Sequence, residues 1–348
     1  MFRFVQLHIL TNYPPSNLNR DDTGRPKSAL MGDAPRLRIS SQSQKRAWRT
    51  SDLFKEALNG NIGTRTKRLG RDLFEQLKAG KVGEKAAWEW ARSIAGQFGT
   101  LETDKKKDLD IKQLVHLCPE ELAAVDMLIQ TCIHRQEGPS DEELALLRKP
   151  EKAVDIALFG RMLAGREPFN VEAAVQVSHA FTVHKSVAED DYFSAIDDLN
   201  EHETGAAHID QRGFGAGLFY LYVCINRELL QENLGNDGEL SKKTLAALLH
   251  AVTKVSPTGM QNSHASRAHA SFVLAEKGDQ QPRSLAQAFL KPVSTSEGGD
   301  MLEKAVGALE RRFENFNKVY GACSDQRCHF NVETGEGSLA ELVSFVQE

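Results

Sequence analysis

The sequence predicts an α+β fold: a β-sheet domain interrupted by a large helical insertion and carrying one projecting β-hairpin. Three observations predict it. Strand-like apolar segments lie towards both ends of the chain, at Phe4–Leu10, Leu218–Ile225 and Ser271–Ala275. Between residues 61 and 181 the apolar spacing becomes three and four almost throughout, the period of a helix. Residues 186–211 hold eight acidic side chains and no Lys or Arg, in two short extended pieces around a turn.

The elements follow in order. Phe4–Leu10 alternates, with Val5, Leu7 and Ile9 on one face and Gln6, His8 and Leu10 on the other. Thr11–Pro35 reads as a long loop, rich in Asn, Asp, Pro, Ser and Gly. Arg36-Leu37-Arg38-Ile39 is a short strand, and Ser40 or Ser41 is a natural N-cap for the helix that follows. On a helical wheel Ala47, Ser51, Phe54 and Leu58 share one arc, while Gln42, Lys45, Arg46 and Arg49 share the opposite one. Helical spacing then marks Leu69–Leu77, Trp88–Phe98, Ile111–Leu117, Glu120–His134, Glu142–Leu147, Ala153–Leu163 and Val171–Phe181. After the acidic hairpin, the nearly continuous apolar run Leu218–Ile225 is a central strand. A helix over Ser241–Val252, a turn-rich segment Pro257–Ser263, the strand Ser271–Ala275 and helices over Leu302–Tyr320 and Ser338–Val346 complete the chain. Without the insertion the order is the β-α-β-β-α-β plan of ferredoxin-like and RRM-like domains. The divisions fall at 1–60 and 182–185 with 213–348 for the sheet domain, 61–181 for the helical insertion and 186–212 for the hairpin.

The 348 residues carry a net charge of −5, which hides an asymmetry. Residues 1–112 hold 22 Lys/Arg and 13 Asp/Glu, whereas residues 113–348 hold 21 and 35. The window from Ala34 to Ser51 contains no acid and five cations: Arg36, Arg38, Lys45, Arg46 and Arg49. Lys45 and Arg46 lack an acidic partner one turn away, which argues against an ordinary solvated face. A helix start with hydroxyls, a Gln and a row of cations is suited to phosphates. An acidic body repels nucleic acid elsewhere. No apolar run reaches membrane-spanning length, and the N-terminus lacks a signal-peptide pattern, so a cytoplasmic location is expected. Five scattered cysteines without a C-x-x-C pair suggest free thiols.

Motifs for chemistry are sparse. The phosphate-loop, metalloprotease and nucleophile-elbow patterns are absent, and Gly213-Phe214-Gly215-Ala216-Gly217 enters a strand instead of leaving one. His179 and His184 flank a predicted helix end and read as structural, as does Cys323-x4-Cys328-His329. No cofactor, resident metal or catalytic residue is expected. Asp21, Asp22 and Asp33 keep open one alternative, a metal-dependent ribonuclease. The hairpin is too acidic to clamp phosphate, yet it carries Tyr192, Phe193, Ile196 and Ile209. Such groups either pack on another subunit or wedge between bases. Lys105, Lys106 and Lys107 form a linker run able to touch a nucleic-acid backbone non-specifically.

Several segments together resemble the CasC family, the backbone subunit of the type I-E CRISPR Cascade complex. They are Leu18-Asn19-Arg20-Asp21-Asp22, Arg38-Ile39-Ser40-Ser41-Gln42-Ser43-x-Lys45-Arg46-Ala47-x-Arg49, Asp155-Ile156-Ala157-Leu158-Phe159-Gly160-Arg161-Met162, and Asp197-Asp198-Leu199 with Gly205-Ala206-Ala207-His208. Residues 171–177 and Gln261-Asn262-Ser263 fit as well, and the match is collinear along most of the chain. The resemblance implies an RRM-like palm, helical fingers and a hairpin thumb. Copies would stack head to tail on a CRISPR guide RNA. It implies that Lys27, Arg38, Ser40, Gln42, Lys45, Arg46 and Arg49, with Gln261 and Asn262, hold the RNA backbone. Met162 and the thumb residues, foremost Phe193 and Ile209, would lie against splayed bases. Target DNA would be met through guide pairing, with Lys105–Lys107 as its only candidate contact. Other partners would be the large, small, guide-end-capping and guide-processing subunits, with no membrane.

Overall fold

The structure, a computed structural model, describes residues 2–104, 106–195, 208–294 and 298–348. The first elements are β1 (Phe4–Ser16), β2 (Ser28–Met31), β3 (Ala34–Ile39), α1 (Ser41–Thr50) and α2 (Asp52–Ala57). Then come β4 (Thr64–Thr66), α3 (Leu69–Ala79), α4 (Glu84–Ala95), β5 (Val115–Leu117), α5 (Pro119–Arg135) and α6 (Val154–Phe159). The chain continues through β6 (Val175–Val177), β7 (Ala180–Thr182), β8 (Glu189–Ala195), β9 (His208–Asn226), α7 (Arg227–Asn233) and α8 (Gly238–Lys254). It closes with α9 (Gln261–His264), β10 (Phe272–Gly278), α10 (Met301–Tyr320), β11 (Gln326–Asn331) and α11 (Leu339–Gln347). The fold is α+β, and the chain divides into two compact units: residues 1–55, 176–227 and 245–348, and residues 56–175 and 228–244.

The first unit is built on a sheet of order β11-β10-β1-β9-β7-β3-β2, with β6 and β8 also pairing on β9. β1 pairs antiparallel with β10 on one side and β9 on the other. This central position buries both faces of β1, including Gln6 and His8. Buried polar groups need partners, and here they have them. Glu276 Oε2 lies 2.8 Å from His8 Nε2, and Tyr220 Oη lies 2.9 Å from His8 Nδ1. Arg283 donates to both Glu276 oxygens at 2.7 and 2.9 Å, and Tyr222 Oη donates to Gln6 Oε1 at 2.8 Å. Burial alone raises the Glu276 carboxyl, but the bonds from His8 and Arg283 outweigh it and hold the pKa down to about 2. Burial pushes the His8 imidazole below its ordinary value. The apolar core on this unit gathers Leu10, Val183, Leu218, Phe272, Phe289, Leu309 and Phe313.

The helical unit packs α3, α4 and α5 around Leu73, Leu77, Ile94, Phe98, Val125 and Ile129. A buried His–carboxylate hydrogen bond and a buried ion pair brace it. Asp155 lies 2.8 Å from His116 Nε2 and accepts the Gly63 amide at 2.8 Å. Arg161 donates to Glu121 at 2.8 Å and to the carbonyls of Arg148 and Phe169. The Asp155–Met162 motif is therefore largely a structural bracket, and its last residue, Met162, is 81% exposed.

The structure corrects several expectations. The long loop after the first strand is shorter: β1 runs on to Ser16, with a register shift between Tyr13 and Ser16 that accommodates Pro14 and Pro15. β2 and β3 form a hairpin whose turn residues Gly32 and Asp33 both have positive φ, +57° and +58°. A Cβ at Gly32 would lie 1.6 Å from the Leu290 carbonyl oxygen, so no other residue fits there. The predicted helix at Ile111–Leu117 is instead loop and β5, paired with β4. The one at Glu142–Leu147 is turn, where the Glu143 carboxylate is drawn to Arg135 at 2.7 Å and to the Ser140 amide at 2.8 Å. The one at Val171–Phe181 is loop followed by β6 and β7, where β-branched residues and sheet pairing override a weak helical period. The helix after Ser40 ends at Thr50. Ser51 Oγ donates to the Trp48 carbonyl and accepts the Phe54 amide, ending α1 and starting α2.

Candidate nucleic-acid interface

Ser40 caps α1 as its sequence requires. Its Oγ accepts the Ser43 amide at 3.3 Å, and its own amide donates to Asn19 Oδ1 at 2.8 Å. Ser40 is buried, so its first role is to fix the helix start. From there the predicted arc is oriented by Ala47, on the apolar side of the wheel, and by Trp48, which lies outside that arc; both are buried. Gln42 and Arg46 are exposed, and Lys45 and Arg49 half-buried. Burial lowers the Lys45 ammonium below its ordinary pKa. Arg36 departs from the expected cationic face. It is fully buried and donates to the Thr182 and Phe289 carbonyls at 2.8 Å each, so it ties the sheet edge.

The structure joins α1 to segments that lie far apart in sequence. A cavity of about 570 Å³ is lined by residues 18–22 and Gly24, by Ser43, Arg46, Ala47 and Thr50 of α1, and by Pro257, Thr258 and Gly259. A Cβ at Gly259 would stand 2.4 Å from the Leu18 carbonyl oxygen, so this close approach needs glycine. An adjoining cavity shares Ala47, Thr50 and Thr258 and adds Lys254, Gln261 and Arg267. A third of about 490 Å³ shares Arg20 and Gly24 and reaches Arg25, Asp190 and Arg212 at the base of the β8–β9 ribbon. Together they make one trough with Arg20, Arg25, Arg46, Arg212, Lys254 and Arg267 along it. Gln261 is thus brought to α1, and Asn262 lies exposed beside it on α9. Of these trough cations only Arg46 lies on the arc that the helical wheel marks as a contact. Arg20 stood inside a quoted motif, but Arg25, Arg212, Lys254 and Arg267 gave no local signal.

Lys27 and Arg38 are held beside each other: the Lys27 amide donates to Asn19 O, and the Arg38 amide donates to Lys27 O at 2.8 Å. Of the three candidate catalytic acids, Asp21 and Asp33 are built into turns. Asp21 Oδ1 accepts from the Thr23 hydroxyl and amide and the Arg25 amide at 2.8 to 3.0 Å, an Asx-type turn. These bonds, the Thr23 hydroxyl foremost, lower its pKa. Asp33 forms the β2–β3 turn, and Asp22 is exposed in the loop. Among the described residues no cluster of three or more His, Cys, Asp or Glu is arranged to hold a metal ion.

The hairpin pairs Tyr192 with Gln211, Phe193 with Asp210 and Ser194 with Ile209. Alternation therefore splits the predicted wedge residues between two faces. Tyr192 and Ile209, 61% and 55% exposed, share one face. Phe193 is on the other, half-buried, with the Arg212 guanidinium 4.7 Å above its ring. The ribbon base is tied down by Arg25 to Asp190 at 2.9 Å. Ile196 lies outside the described residues, as does Lys105. Lys106 and Lys107 are exposed in a turn closed on Asp104, in the helical unit. Met162 lies in that same unit.

The sequence matches the model of the CT1975-like protein family over residues 5–345. No curated protein matches it by sequence. A chain from a structure described as "CRISPR RNA-guided surveillance complex, pre-nicking" is similar with a TM-score of 0.84 at 28% identity, covering 99% of this chain and 100% of that one. A chain from a "CRISPR RNA-guided surveillance complex" is similar with a TM-score of 0.72 at 26% identity, covering 97% and 94%.

Proposed function

This chain belongs to the CT1975-like protein family, and from that premise we propose that it is a non-catalytic backbone subunit of a CRISPR surveillance complex, of type I-E. The observation that carries the proposal is the end-to-end likeness to chains of such complexes. On this reading the first unit is an RRM-like palm. Its strand order β10-β1-β9-β7, with α1 and α8 as the intervening helices, supports that assignment. The helical unit is the fingers and the β8–β9 ribbon the thumb.

The division of labour follows from the chemistry. Lys27, Arg38, Gln42, Lys45, Arg46 and Arg49 hold the sugar-phosphate path of the guide, and backbone contacts carry no sequence information. The ribbon has apolar groups on both faces, which fits a blade set between two bases: Phe193 on one side, Tyr192 and Ile209 on the other. Met162 of the fingers meets a further base. Sequence is then read by guide pairing with target DNA, and copies assemble head to tail with the other subunits. The engagement of Asp21 and Asp33 in turns supports a scaffold over a ribonuclease. Among the described residues no helix is long and apolar enough to cross a membrane, which is compatible with a place in the cytoplasm.

The test is direct. Purified full-length chain should carry short RNA, seen as a raised ratio of absorbance at 260 to 280 nm that ribonuclease treatment abolishes. The assembled complex, given Mg²⁺ and complementary RNA, should leave that RNA intact. A nucleic-acid-free chain overturns the proposal, and periodic cuts lost in Asp33→Ala establish the ribonuclease.

A further inference from the structure

We propose that His179 completes a phosphate subsite with Lys27 and Arg38, at the sheet edge just before α1, for single-stranded RNA. The inference rests on the RNA-binding reading above and adds a residue to it.

The geometry is specific. Arg38 Nη1 lies 2.6 Å from His179 Nδ1. A guanidinium only donates, so Nδ1 accepts and the ring proton sits on Nε2. His179 is exposed between β6 and β7, and Arg38 on β3 stands opposite Phe181 of β7. Lys27 is bonded through its carbonyl to the Arg38 amide. Burial, with the charges of Arg38 and then Lys27, lowers the imidazole pKa, so the ring stays neutral at pH 7. Among the described residues neither Lys27 nor Arg38 forms an ion pair with a carboxylate. Among the described residues, two cations and one exposed imidazole N–H are therefore brought together with no carboxylate paired to them. A phosphate supplies both missing elements: charge for the cations and an acceptor oxygen for Nε2–H. The cluster leads directly into the cationic face of α1, which places RNA ahead of an acidic protein as its occupant.

The roles separate by salt dependence. Each cation that neutralises a phosphate on a single strand contributes about 0.7 to the slope of log affinity against log salt, whereas a neutral donor contributes none. Full-length chain is titrated with fluorescein-labelled oligouridylate at several salt concentrations. His179→Ala should weaken binding about ten-fold or more, the effect of one hydrogen bond to a charged oxygen, with the slope unchanged. Arg38→Gln should weaken binding and lower the slope by about 0.7. His179→Asn still accepts from Arg38 but lacks the outward donor, and should behave like Ala. His179→Gln keeps a donor near the Nε2 position and should recover most of the affinity. If His179→Ala lowers the slope as Arg38→Gln does, His179 only braces Arg38 and the subsite is overturned. It is overturned too if His179→Ala binds like the parent, as an acidic protein occupant would have it, while the RNA reading stands. A parent chain that binds no RNA overturns both.

Discussion

α1 and the β8–β9 ribbon belong to the same unit yet solve opposite problems. α1 gathers Gln42, Lys45, Arg46 and Arg49 on one side and seats Trp48 and Ala47 on the other. The ribbon is acidic, projects apolar groups from both faces, is paired at its base by Arg25 with Asp190, and carries Arg212 over the Phe193 ring. A surface meant to hold phosphates needs fixed cations; a surface meant to enter a stack needs apolar faces and little attraction for the backbone. The trough through Arg20 and Arg46 links the two. On the proposed function, one region would set how strongly the chain holds RNA as salt varies, and the other would set what the bases do.

The most disruptive change strikes the platform both regions stand on. Glu276→Ala leaves His8 and Arg283 buried beside no carboxylate and should cost about 3–5 kcal/mol in a denaturant titration. The pH dependence has a definite sign. Glu276 is held down to about 2 from an ordinary 4.5, and His8 is lowered from 6.5. In acid the unfolded chain therefore binds more protons than the folded one. Stability should be full above about pH 6.5 and fall as the pH drops towards 2. Glu276→Gln should flatten the lower part of that limb. Next in size, Lys45→Glu with Arg49→Glu should reduce RNA affinity on the order of 100-fold. Equal affinity would remove α1 from the interface. The smallest effect is expected at Asp21→Asn: complementary RNA stays uncut in parent and variant alike, and proteolysis within residues 18–26 quickens as the turn loosens.

The sequence made the cationic helix legible because its signals are local: a cap residue, an acid-free window and a wheel. The central strands were legible for the same reason. What it hid depends on distant partners. Arg36 looks like its neighbours Arg38 and Lys45, and only Thr182 and Phe289, far along the chain, turn it into a buried tie. Trp48 is recognised as an anchor only once the sheet is in place. Val171–Phe181 has apolar spacing that suits either period, and pairing with β3 and β9 decided it. The hairpin was visible from composition, but its two faces needed the register of Phe193 with Asp210. The trough draws on residues 18–24, 46–50, 190, 212 and 254–267, a set no window could collect.

The central claim is that α1 holds the backbone and the ribbon handles the bases. Salt-dependent RNA binding of two full-length double variants tests it most directly. Lys45→Gln with Arg49→Gln should lower the salt slope by about 1.4, two phosphate contacts on a single strand. Phe193→Ala with Ile209→Ala should weaken binding roughly ten-fold or more at every salt concentration, with the slope of the parent chain. Equal slopes for all three proteins, or a slope lost with the ribbon instead of the helix, would contradict the account.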